Sequence, residues 1–445
     1  MFRMLPTFRK NVLPFVVVAL VLGAILILAA CAPAVSPTAA PPTAASLQPT
    51  SAPAQPTSAP SQPTSAPAQP TSGAASFQIP EVEPGKFNVA FIYIGPHDDS
   101  GWTQAHDVGR QYVEKTLGDK VHTAYVELVP EGAESEQVIR SLARKGFNAI
   151  IATSFGYMDP MATVAEEFPD IKFLHVSGFK SNGTNFGNMF GGMETIKYMA
   201  GMIAGARAKA DNNPKIGYIA TFAIPEEMRL GNAFALGVQK TCPECKIDVR
   251  WINTWHDPVK EKDAATSLFD SGAQVVMTGA DTPSNAEAAK ERGKYAVTYD
   301  YEGNCKLDSC LTTMYWNWGP IYVKDIQAMM DGTWKGGSEY FDVKDGGLGL
   351  YGFMEGQKPQ PGVPQGVISQ VQDVLKQAQA GNFDRFSVFS GPITDNKGNT
   401  VIPAGQKINQ CDIDQFKESA SPNCPAQYGM YWWNQNFTAE LPKLQ

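Results

Sequence analysis

From residue 86 onward the chain alternates between short runs of consecutive apolar residues and stretches in which apolar positions recur every three or four residues. The run at 87–94 (FNVAFIYI) gives way to a polar loop and then to a helical pattern over 103–117. Strands are predicted next at 123–129, 149–153 and 172–176, separated by helices at 135–145 and 161–168. After a helix at 194–208 the same order begins again. Strands are predicted at 215–220, 246–251, 274–278 and 295–299, with helices at 229–240, 259–270 and 284–292 between them. Strands apolar on both faces, each followed by an amphipathic helix, predict a parallel sheet covered on both sides. The repetition predicts an α/β protein of two doubly wound parallel-sheet lobes around a ligand cleft.

In such sheets ligands bind beyond the carboxyl ends of the strands. The loops at those ends read GPHDDSGWT (95–103), SFGYMDP (154–160), SGFK (177–180), TFAIPEE (221–227), NTWHDP (253–258), GADTP (279–283) and DYEGN (300–304). Loops that only turned the chain would hold more Gly and Asn and fewer rings. Trp102, Phe155, Phe222 and Trp255 are candidates to stack on a planar ligand, because an aromatic face gains most where water is excluded. Trp316 and Trp318, two apart, share one face of an extended segment; packing beside a hinge is the other reading. Ser154 offers a hydroxyl. Asp98, Asp99, Asp159, Glu226, Asp281 and Asp300 are candidates to accept ligand N–H groups. The ordinary use of an acid there is capping the next helix, and Asp159 before Pro160 fits that use.

The full length of 445 residues, 43% hydrophobic and 18% charged, suffices for two domains plus extensions. A net charge of -8 with no cluster of Lys and Arg excludes a nucleic-acid surface. Arg3, Arg9 and Lys10 precede an apolar run over 12–30 that closes in Leu28-Ala29-Ala30-Cys31. This targeting segment resembles a bacterial lipoprotein signal, cut before Cys31 and lipidated on its thiol. An uncleaved anchor is the alternative. Residues 32–78, with near repeats of QPTSAPA, bury too little to offset their ordering entropy and predict a tether. The expected organisation is a signal peptide (1–30), anchor and tether (31–85), lobe one (86–210), lobe two (211–300), and hinge crossovers, completion of the lobes and a C-terminal extension (301–445).

Outside the cytoplasm the remaining cysteines are expected as three local disulfides: Cys242 with Cys245, Cys305 with Cys310, and Cys411 with Cys424. A redox role for Cys242-Pro243-Glu244-Cys245 is weaker, since it lies in a Pro-containing helix-to-strand connection. Zinc lacks a second pair at finger spacing. The GLGLYG stretch at 347–352 offers no helix N-terminus to a pyrophosphate. The five histidines show no ligand spacing, and no GxSxG elbow or complete P-loop is present. No catalytic residue, cofactor or metal is expected.

Several long motifs in order carry a resemblance: GWTQAHDVGR (101–110), TSFGYMDP (153–160), IPEEMRLGNAFALG (224–237), NTWHDPVKEKDAA (253–265), YDYEGN (299–304) and YWNWGPIY (315–322). Together they resemble the BMP family of extracytoplasmic solute-binding lipoproteins, in its Med-like branch, over 87–335, continued by VFSGPITDNKG at 388–398. The resemblance implies a type I periplasmic-binding fold and delivery of a purine nucleoside or nucleobase to an ABC permease and its ATPase. It also implies a monomer held at the membrane through lipid on Cys31. Asp300 falls where related sequences carry an aspartate, and Ser154 and Phe155 match the cleft loop after the third strand. Where nucleoside binders of the family carry a lysine after that aspartate, this chain has Tyr315-Trp316-Asn317-Trp318, which leaves a free base open. Two other readings remain: a surface nucleoside hydrolase-like enzyme, for which His97-Asp98-Asp99 is the nearest acidic cluster, and a sensor of the same ligand without transport.

Overall fold

The computed structural model describes residues 77–443, which belong to one compact unit. Cys31 and the repeats lie outside the described residues. The first lobe opens with β1 (Phe87–Ile92), α1 (Trp102–Leu117), β2 (Val121–Val126), α2 (Ala133–Lys145), β3 (Ala149–Ala152), α3 (Met158–Glu167), β4 (Lys172–Val176) and β5 (Phe186–Gly191). The second holds α4 (Glu194–Ala210), β6 (Lys215–Ala220), α5 (Pro225–Thr241), β7 (Lys246–Trp251), α6 (Pro258–Asp270), β8 (Val275–Thr278), α7 (Ser284–Glu291), β9 (Tyr295–Asp300) and β10 (Cys310–Trp316). Then α8 (Trp318–Met330) and β11 (Ser338–Phe341) return to the first lobe, and β12 (Leu348–Leu350) and α9 (Gln365–Gln379) to the second.

The sheets run β2-β1-β3-β4-β5-β11 and β7-β6-β8-β9-β10-β12, parallel throughout except for the β10–β12 pair. Strands such as AIIA of β3 are buried on both faces, as expected for a sheet covered by helices on both sides. Chain order reverses beside β1 and beside β6, so each lobe has a topological switch point where its strands end toward the other lobe. The chain crosses between lobes after β5, after β10 and after β11. Because the first crossing precedes α4, that helix packs on α5 and the second sheet, not on the lobe where the sequence pattern had placed it. The crossovers pack on one another at Gly191, where an added Cβ would lie 2.5 Å from the Phe341 ring and 2.7 Å from the Trp316 ring. The GLGLYG stretch contains β12; a Cβ on Gly349 would lie 2.1 Å from the Tyr315 ring, so this glycine serves ring packing.

In the structure the sulfurs of Cys242 and Cys245, Cys305 and Cys310, and Cys411 and Cys424 are joined. Among the described residues no helix is long and apolar enough to cross a membrane. Beyond α9 the chain folds back over the second lobe. Phe437 bridges to Ile247 on the outer strand β7, which covers an edge otherwise open to pairing. Trp433, fully buried, stacks on Phe437 with centroids 4.2 Å apart and packs against Tyr218 and Trp251. Asn232 of α5 fastens the segment, its amide donating to the Trp432 carbonyl (2.7 Å) and accepting from the Asn434 N–H (2.9 Å). Trp433→Ala is therefore expected to cost about 3–5 kcal/mol, the range for emptying a buried aromatic site. Denaturant unfolding checks this; a loss below about 1 kcal/mol would show that the extension only rests on the lobe.

Candidate functional site

The strand ends of the two lobes meet. The Asn304 amide donates to the Ser100 carbonyl across the gap (2.7 Å), and a Cβ on Gly101 would lie 2.3 Å from Cβ of Asp281. This approach tolerates only a hydrogen on the first-lobe residue. Asp99 fixes the loop by capping α1: Oδ1 accepts from the N–H groups of Gly101 (2.8 Å) and Gln104 (2.9 Å), and Oδ2 from that of Thr103 (3.1 Å). The Trp102 indole donates to the Thr153 carbonyl (2.6 Å) and ties this loop to the end of β3. Backbone strain concentrates here. Of six non-glycine residues with positive φ among the described residues, Ser100, Leu128, Ser177 and Asn253 lie in loops after strands and Asp300 ends β9; Asn212 is the other.

Aromatic rings form the floor where the second crossover passes. Trp316 stacks on Trp318 (5.0 Å) and on Phe190 (5.4 Å), and Trp102 meets it edge-on (5.6 Å). Trp318 lies behind, completely buried and stacked on His106 and Tyr322, and so serves as packing. The Trp316 indole N–H donates to Oδ1 of Asp300 (2.7 Å) and sets the orientation of that carboxylate.

Asp300 sits at φ +66°, in the left-handed region, which turns its side chain beside Asp281. Burial pushes its carboxyl up to about 6, against hydrogen bonds from Asp281 and Trp316. Asp281 is held well above the carboxylate range, first by burial and then by the Asp300 charge. Two buried carboxyls this close do not both ionise, so the pair retains a proton or takes an N–H from elsewhere. On the same side Glu226, at the start of α5, is raised to about 7 by burial. Lys197 of α4 is fully buried with its Nζ 3.5 Å above the Tyr299 ring, and burial lowers it to about 8.

The other expected residues lie further out. The Ser154 hydroxyl donates to Glu131 Oε1 (2.6 Å) and its carbonyl lies 2.7 Å from His175 Nε2. Phe155, 58% exposed, is turned to the surface, and Asp159 pairs with Lys180 (2.6 Å) in the open. Phe222 and Trp255 pair at 5.2 Å on the second-lobe rim, where the Trp255 carbonyl accepts from the Asp281 N–H (3.0 Å). The structure thus gathers Trp102, Trp316, Asp281 and Asp300 and leaves Phe155 and Asp159 apart. Phe190 and Lys197 were not singled out by sequence: Phe190 stands in a strand too rich in Gly and Asn to announce itself. Lys197, however, is with Glu194 one of only two charges in the otherwise apolar MFGGMETIKYMAGMIAG, and that was an available signal. Asp99, His256 and Asp281 place one ligating atom each within 4.8 Å of one another, a cross-lobe grouping that sequence spacing does not display. Both Asp99 oxygens are already committed to capping α1.

A family model described as ABC transporter substrate-binding protein, PnrA-like, matches residues 86–379. A purine-binding protein of Brucella abortus is 35% identical over 325 residues, covering 73% of this chain and 89% of that protein. A putative ABC transporter glucose-binding protein of Haloferax volcanii is 35% identical over 249 residues, 56% of this chain and 62% of that one. Among solved structures, a transcriptional activator of the comK gene from Bacillus halodurans superposes with a TM-score of 0.56 at 22% identity, over 66% of this chain and 99% of that one. A solute-binding protein of an ABC transporter system from Conexibacter woesei gives 0.55 at 19%, over 66% and 97%. These two show the fold.

Contact between Gly101 and Asp281 makes closure open to a direct test. Gly101→Ala places a methyl group within the Asp281 backbone while leaving each lobe's own packing untouched, so thermal stability should stay near wild type. Affinity for the cleft ligand should fall at least about tenfold, since the competent closed state becomes the rarer one. Unchanged affinity by titration calorimetry would mean that this approach is not part of the binding-competent state.

Proposed function

Because the chain belongs to the PnrA-like family of ABC transporter substrate-binding proteins, we propose that it captures a purine base or nucleoside between its two lobes and hands it to a membrane permease. The observation that carries this reading is Asp300 held by the Trp316 indole at the edge of the Phe190–Trp316 stack. A flat heterocycle can gain ring contact from that wall while its N–H groups reach a carboxylate already aimed. The Brucella relative, whose name states purine binding, supports the same choice. Lipid on Cys31 would keep the protein at the outer face of the membrane, in keeping with cysteines paired as in an oxidising compartment. Relatives that bind rather than transform their ligands support a binding protein and not an enzyme.

Titration calorimetry with purine bases, purine nucleosides and glucose tests the reading. Wild type should bind at least one purine and not glucose. Asp300→Asn should weaken that purine by about 1–3 kcal/mol, or roughly ten- to a hundredfold, because a neutral amide replaces a charge-assisted acceptor. Glucose binding without purine binding would instead favour a sugar carrier, as the Haloferax relative is named.

A further inference from the structure

Lys197 and Glu226, in the second lobe, are charged groups whose side chains make no hydrogen bond among the described residues. Among the described residues, Lys197 Nζ has no hydrogen-bond partner although it is fully buried. Its position over the Tyr299 ring supplies a cation–π contact to the ammonium and leaves its N–H groups unsatisfied. Four carboxylates lie within range of its charge: Glu227, Asp300, Glu226 and Glu194. Three are engaged. Glu227 accepts from the hydroxyls of Tyr218 and Thr221, Glu194 from Arg229 (2.6 Å) and Asp300 from Trp316. Glu226 alone makes no side-chain hydrogen bond among the described residues, and it is half-buried at the start of α5, beyond the carboxyl end of β6. A buried ammonium whose donors stay unmet costs several times what a satisfied one does, so the site as folded favours any ligand that supplies an acceptor there.

We propose that Lys197 and Glu226 are the groups that choose among purines, and that they select a 6-oxopurine over a 6-aminopurine. This rests on the purine reading above. A 6-oxopurine of the guanine type presents two neighbouring acceptors, O6 and N7, on one side and N–H donors at N1 and the 2-amino group on the other. The first side suits an ammonium and the second suits carboxylates. A 6-aminopurine breaks the acceptor pair with an N–H₂ group and offers no N1–H. The stack of Phe190 and Trp316 is indifferent to which purine it meets and supplies no selection of its own.

Calorimetry with hypoxanthine, adenine, guanosine and adenosine, on wild type, Lys197→Met, Lys197→Arg and Glu226→Gln, decides the matter. The wild type should prefer the oxo member of whichever pair it binds by at least about tenfold, the lower end expected for a matched pair of hydrogen bonds. Lys197→Met and Glu226→Gln should each bring that ratio to within about threefold, and Lys197→Arg should keep it on the oxo side. Thermal melts accompany each variant; should Lys197→Met fail to fold, the wild-type ratio and Glu226→Gln still decide. A wild type that prefers adenine or adenosine, or ratios unmoved by Lys197→Met or Glu226→Gln, overturns the selection while leaving purine binding intact. A wild type that binds none of the four overturns the purine reading, and this one with it.

Discussion

The hydrogen bond from the Trp316 indole to the Asp300 carboxylate joins the hinge to the site. Trp316 ends β10 at the second crossover, against Gly191 of the first and near Phe341 of the third, so its position reports how the lobes are set. Asp300 ends β9, held at positive φ beside Asp281. Trp316 and Asp300 lie on neighbouring strands of the second sheet and move together, so moving one lobe shifts Phe190 of the first lobe relative to both. A ligand that needs both the ring and the carboxylate gains its full set of contacts in one arrangement only, which is the condition for a ligand to shift a conformational equilibrium.

Electrostatics gives closure its second constraint. Bringing the lobes together sets Asp99 of the first lobe beside Asp281 of the second, with Asp300 close behind. In a dry cleft these charges oppose one another unless a proton or a donor-rich partner sits among them. Burial is what chiefly raises the carboxyls of Asp281, Asp300 and Glu226, and at Asp281 the Asp300 charge adds to it. A partner bearing N–H groups relieves the opposition, so the acids that resist an empty closed cleft reward a filled one. Lys197 answers the same field from below but cannot neutralise it alone.

Much of this was legible in the sequence. Buried runs such as AIIA and the apolar-periodic helices fix two doubly wound lobes, and chemistry at the carboxyl ends of parallel strands follows from topology, so Trp102, Asp281 and Asp300 could be named from loops. Phe155 and Asp159 come from an equally suggestive loop, yet a single helical turn after β3 directs the ring outward, and no periodicity encodes that rotation. Phe190 and Lys197 belong to β5 and α4, elements whose role at the hinge depends on where the chain changes lobes, which local pattern does not state. The C-terminal extension was equally hidden: Asn434 and Asn436 reach partners more than 190 positions away.

The central claim is that a purine drives these two lobes together. Electron-spin distance measurement between labels at Phe179 and Val259, exposed on the first and second lobes, addresses it directly. Without ligand the account predicts a broad distribution that includes separations longer than the closed structure allows, collapsing to one short distance when a bound purine is added. A distribution that stays the same with saturating purine would contradict it.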